Sequence, residues 1–258
     1  MAALFGRSAL DYAGYDMRYE CFEGGGHCHG SYDPVVLERV YRFLWADWQT
    51  KPVQPLRNQE RIDSQVEFGS TWEETTEPLP AKVSACTAQG EYTFVGGEIF
   101  LTAADGTKKS VASGFGSISA LAVSSDQWRL YIADTQRRFV FAMSIMPDGS
   151  LTQLYKHAPL HLSWDCRMAG ATDLCVDVND RVYAATELGI QSVRSMGVID
   201  SIFSLPGDIP VEKIAFGGEN SDVMYATGGG KVFKRPWKVR GVRHSDALSK
   251  PGTVEYYD

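Results

Sequence analysis

What this chain of 258 residues lacks narrows its reading first. No uninterrupted apolar run approaches the ~20 residues a membrane-spanning helix needs, so no span is expected. The opening MAALFGRSAL has too short an apolar run before Arg7 for a signal peptide. Lys and Arg form no run, and 25 of them against 32 Asp and Glu leave a net charge of −7. That balance excludes a general affinity for nucleic acid or for an anionic membrane. Cysteine is scarce: five residues, an odd number at irregular spacing, make no disulfide framework and favour a reducing compartment. A soluble, cytoplasmic protein is the expectation.

Several catalytic signatures are missing too. No Gly-x-Ser-x-Gly elbow is present to supply a serine nucleophile. Cys21, His27, Cys28 and His29 cluster in CFEGGGHCHG, but no second spaced pair exists to complete a structural zinc site. Counting from Asp177, a calcium-binding loop needs Gly at its sixth position and an acid at its twelfth; Val182 and Leu188 stand there. YATGGGKVFKR lacks phosphate-loop spacing and reads as a hairpin.

What is present divides the chain. Residues 1–48 hold a strand (Met17 to Phe22), a Gly-rich loop, and an amphipathic helix from Pro34 with Val36, Val40, Phe43 and Leu44 on one stripe. This is the end of an α/β unit without its sheet. Residues 49–80 contain four of the eleven prolines and read as a linker, with one edge strand near Val66 to Phe68.

From residue 81 to 245 a plan recurs: a strand centred on an aromatic, a short loop, then a second strand ending in charge. The aromatics are Tyr92, Tyr131, Tyr183 and Tyr225, separated by 39, 52 and 42 residues. Units of this length with several strands and no helix are the mark of β-propeller blades; a β-sandwich with similar hairpins is the alternative. TDLCVDVNDRVYAATELGIQSV gives the hairpin at its clearest, with strands Leu174 to Val178 and Val182 to Thr186 around an Asn-Asp turn. The expected fold is therefore mainly β, a partial or six-bladed-type propeller with a short N-terminal α/β segment and a tail at 246–258.

The stretches ISALAVSSDQWRLYIADT, GATDLCVDVNDRVYAATELGIQSV and KIAFGGENSDVMYATGGGKVFKRPWKVRG resemble successive motifs of the gluconolactonase, regucalcin and luciferin-regenerating-enzyme family (senescence marker protein-like). The resemblance covers roughly residues 88 to 243. It implies a six-bladed propeller that hydrolyses lactones with one divalent cation, often calcium, in its central channel. Carried over by position, the metal-binding Asn falls on Ser119 and the metal-binding Asp on Thr172, with Asp173 one residue further on. In a strand a one-residue slip reverses the side chain's direction, so Asp173 substitutes only across a bulge; otherwise it serves a turn or cap. Glu77 stands for the early Glu. Residues 1–48 separately resemble the end of an enterochelin-esterase-like α/β-hydrolase, which puts His27 at the catalytic histidine. Its nucleophile would have to come from a partner chain.

These residues admit three readings. One is a metal-dependent lactone or ester hydrolase with Glu77, Asp173 and Ser119 around the ion. Another is a non-catalytic propeller that binds a small molecule or a partner. The third is an incomplete product of an esterase–lactonase fusion, whose open strand edges would lead to self-association.

Overall fold

A computed structural model describes residues 42, 62, 64–82, 85–162 and 170–243. The chain divides into two units, Met1–Glu60 and Arg61–Asp258, and every strand among the described residues belongs to the second. The α/β segment expected at 1–48, His27 with it, and the tail at 246–258 lie outside the described residues.

Among the described residues sixteen strands build four antiparallel sheets of four. The first strand is β1 (Glu73–Thr75). Then come β2 (Cys86–Thr87), β3 (Gly90–Val95), β4 (Glu98–Thr102) and β5 (Lys108–Ala112), a meander in chain order. The second sheet is β6 (Ile118–Val123), β7 (Arg129–Asp134), β8 (Phe139–Ser144) and β9 (Tyr155–Pro159). The third is β10 (Asp173–Val176), β11 (Val182–Thr186), β12 (Gly189–Val193) and β13 (Ile199–Phe203). In the fourth, β14 (Lys213–Gly217), β15 (Val223–Gly228) and β16 (Lys231–Pro236) follow one another, and β1 returns to pair antiparallel with β16. The edge strand expected at Val66 to Phe68 is instead a turn that buries Val66, and the edge is made by Glu73–Thr75.

Local chemistry explains the hairpins. Between β10 and β11 the chain reverses with Asp180 at φ +62°, a conformation that Asp tolerates better than most residues. The Asp177 carboxylate accepts hydrogen bonds from the amides of Asn179 (2.9 Å) and Arg181 (3.0 Å), and so closes the turn. Cys175 then stands opposite Tyr183. Asp177 holds the turn; Asp173 belongs to the strand.

Among the described residues three apolar cores lie between successive sheets. One joins the first and second around Tyr92, Leu130 and Phe141; another joins the second and third around Tyr131 and Leu174. The last joins the third and fourth around Tyr183, Phe216 and Trp237. Covered on both faces, β10, β11 and β12 are buried along their whole length, which explains their mostly apolar and small residues, with Asp173 and Gln191 the buried polar exceptions. The leading strands of the last three sheets face one another, β10 against both β6 and β14, and β6 lies against β3 of the first sheet. This is a mainly β, propeller-type arrangement of blades.

The four repeated tyrosines all sit on the second strand of their sheet: Tyr92 on β3, Tyr131 on β7, Tyr183 on β11, Tyr225 on β15. Three of them connect a sheet to the next. Tyr92 donates to the Gly149 carbonyl (2.8 Å), Tyr131 donates to Asp180 (3.1 Å), and the Tyr183 hydroxyl accepts from the Trp237 indole (3.1 Å). A buried phenol needs a polar partner, and here each one finds it across a sheet boundary.

Candidate functional site

Where the four sheets meet, beside β3 and the N-terminal ends of β6, β10 and β14, there is a cavity of about 510 Å³. Tyr92 of β3, Ser119 of β6, Asp173 of β10 and Lys213 of β14 all line it, together with Pro80 and Lys82 from the segment after β1. Burial pushes the Tyr92 phenol up to about 12, so it stays a neutral hydrogen-bond donor. Below Lys82 a second cavity of about 310 Å³ runs past Cys175 and Phe216. Burial there pushes the Cys175 thiol well up, which removes it as a nucleophile. Lys82 is in the wall of both.

Asp173 belongs to the larger cavity's polar wall. Its side chain is buried, and both carboxylate oxygens accept hydrogen bonds. Oδ1 takes the Lys82 ammonium and the Leu174 amide (3.0 Å); Oδ2 takes the Ile214 amide of the neighbouring β14 (3.0 Å). One carboxylate thus ties together the segment before β2, its own strand, and the next sheet.

The approach of this segment has a visible cause. Pro80 packs on Gly217 of β14 so closely that a Cβ there would lie 2.4 Å from the proline ring. With no side chain at Gly217, the chain reaches the sheet and carries Lys82 between the blades two residues later.

The other residues that the resemblance placed at the cation fare differently. Ser119 lines the cavity, and its hydroxyl donates to the Ala171 carbonyl at 2.7 Å. Thr172 donates to the Val211 carbonyl at 3.0 Å. Glu77 is not in the cavity wall: its carboxylate accepts from Tyr225 (2.7 Å) and Lys234 (2.6 Å) on the fourth sheet. The Lys234 hydrogen bond, then that of Tyr225, holds the Glu77 carboxyl below its usual range. Among the described residues no three His, Cys, Asp or Glu side chains come together as metal ligands.

Calcium needs six to eight oxygens, anionic ones among them. The sole carboxylate of this set in the cavity has both oxygens engaged by N–H donors, one of them a cation that would repel the ion. The residues do not fit a divalent cation.

Lys82 carries no local signal that would mark it in the sequence: its partner Asp173 is 91 residues away. His157 and His161 line neither cavity. His157 is on β9, the outer strand of the second sheet, with its ring 5.0 Å from that of Tyr131 and 6.4 Å from that of Tyr155. Its Nε2 is buried without a hydrogen-bond partner among the described residues.

Burial, helped by Arg129, pushes the His157 pKa down to about 4. The unfolded chain takes up that proton near pH 6.5, so this group makes stability fall as pH drops from about 6.5 to about 4. With the ring partly exposed, the loss is about 2 kcal/mol. His157→Phe is expected to shrink the drop in melting temperature between pH 7 and pH 4.5; an unchanged drop would assign the acid sensitivity elsewhere.

Among the described residues no helix is long and apolar enough to cross a membrane. No curated protein matches the chain. Solved structures that it resembles include a gluconolactonase from Xanthomonas campestris (20% identity over 54% of this chain and 44% of that one, TM-score 0.46). A luciferin-regenerating enzyme (18%, 56% and 53%, 0.49) and regucalcin, a calcium-binding protein from Agrobacterium tumefaciens (16%, 56% and 54%, 0.48), are others. The chain thus spans about half the length of the structures it matches. A family profile, the SMP-30/Gluconolactonase/LRE-like region, matches residues 68–229, the stretch from the turn before β1 to the end of β15, and the chain belongs to that family.

Proposed function

We propose that this chain takes a lactone or ester into the larger cavity and acts on it as a gluconolactonase-like hydrolase. The observation that supports this reading best is that cavity itself: all four sheets contribute to it, and a paired ammonium and carboxylate stand in its wall. The resemblance implies calcium as cofactor. Because the donors do not fit that ion, no step is assigned to it. What this chain's residues can do is bind and orient. Asp173 holds Lys82, and the ammonium is placed to take a carbonyl oxygen of the ligand. Leu121 and Ile214 line the same cavity and keep water from surrounding it.

One observation favours a second reading, a non-catalytic binding module. Hydrolysis needs a base for the attacking water, and Asp173, with three N–H donors on its two oxygens, is poorly placed to be one. On either reading the small molecule enters the same cavity. Residues 1–48 stand in this reading as an esterase-like segment with His27 at the catalytic position, its nucleophile supplied by a partner chain. The odd cysteine count favours the cytoplasm.

Calorimetry and pH-stat hydrolysis with glucono-δ-lactone, with calcium and with chelator, separate the readings. Saturable binding with turnover supports the hydrolase, and binding without turnover supports the module. No heat at millimolar lactone would sink both.

A further inference from the structure

We propose that Lys82 is a built-in replacement for the channel's divalent cation. On this view its ammonium, and no metal, supplies the positive charge against Asp173 and holds the ligand's carbonyl or carboxylate oxygen. The last clause rests on the function proposed above; the replacement itself does not.

Four observations carry it. The ammonium bonds the one acid of the cavity's carried-over ligand set, and the other Asp173 oxygen is held by the Ile214 amide. Ser119 and Thr172 have turned their hydroxyl protons onto the Ala171 and Val211 carbonyls, which binds sheet to sheet. The lysine is delivered by a dedicated contact, Pro80 against the bare backbone of Gly217. Finally, Asp173 is the hydrogen-bond partner of Lys82 among the described residues, and the lysine side chain keeps 32% of its surface exposed. An ammonium has three N–H donors, so two remain for a ligand. A carboxylate or a carbonyl oxygen is the matching chemistry, as found in a hydroxy acid or its lactone.

The metal half is tested on the wild-type protein by titrating calcium, manganese and zinc in a calorimeter. No saturable binding is expected, or binding unchanged by both Asp173→Asn and Ser119→Ala, which places the ion elsewhere on the chain. One-site binding lost in either variant overturns the replacement.

The ligand half uses gluconate and glucono-δ-lactone as probes, with and without chelator. Affinity is expected to stay within twofold on chelation, to fall at least tenfold in Lys82→Met, and to return to within about threefold in Lys82→Arg. Circular dichroism melts check that the variants fold. Affinity lost to the chelator, or indifferent to Lys82→Met, overturns this half. If neither probe binds the wild type, the proposed function fails, and the metal titration still decides the replacement on its own.

Discussion

Asp173→Ala is expected to lower the stability of the β unit by about 3 kcal/mol, because it strands buried donors instead of removing a surface charge. The Ile214 and Leu174 amides lose their acceptor where water cannot reach, since Ile214 and Leu174 are both fully buried. The Lys82 ammonium also loses its partner, but with a third of its side chain exposed it recovers part of its hydration. Most of the cost therefore comes from the amides. Urea unfolding measures it: the midpoint should fall without a change in slope. Pairing the substitution with Lys82→Met should cost less than the two changes added together, since neither charge is then left alone. A loss below about 1 kcal/mol for the single variant would mean that the carboxylate does not hold the sheets together.

Trp237→Ala is expected to have the larger effect, about 4 kcal/mol, at the boundary between the third and fourth sheets. The indole is 3% exposed, and its ring packs 4.7 Å from Phe203 and 5.7 Å from Tyr183 by centroid. Its N–H donates to the Tyr183 hydroxyl, which in turn donates to Asp177 at 2.9 Å. Truncation removes the packing, leaves a cavity and cuts that chain at its first link. Trp237→Phe keeps most of the volume and loses the hydrogen bond, so about 1–2 kcal/mol is expected. Thermal melts of the two variants should rank in that order. Equal losses would mean that the hydrogen bond, and not the packed ring, carries the contact.

The two substitutions also show how unevenly the molecule can be read from its residues. The blade repeat was legible because a strand alternates every second residue and a short turn needs particular residues, both local constraints. Tyr92, Tyr131, Tyr183 and Tyr225 accordingly recur on equivalent strands. The hairpin around Asn179 was legible for the same reason. Asp177 closes the turn through its own neighbours, whereas Asp173 makes one contact with Leu174 and two with distant segments. The strand β1 carries no pattern in the sequence, because its three residues, Glu73 and Glu74 exposed and Thr75 half-buried, are too few to alternate. Its place is set by pairing with β16, from Glu73 opposite Lys234 to Thr75 opposite Val232.

Taken alone, then, the sequence determined the strand repeat, the mainly β class and the family resemblance, since each rests on residues close together in the chain. Only the tertiary structure decided what stands in the larger cavity. Whether Asp173 faces a metal, a turn or an ammonium depends on which distant segment arrives beside it. That segment, led in by Pro80 over Gly217, brings Lys82, and the strength and repulsion of charges depend on separation in space and not along the chain.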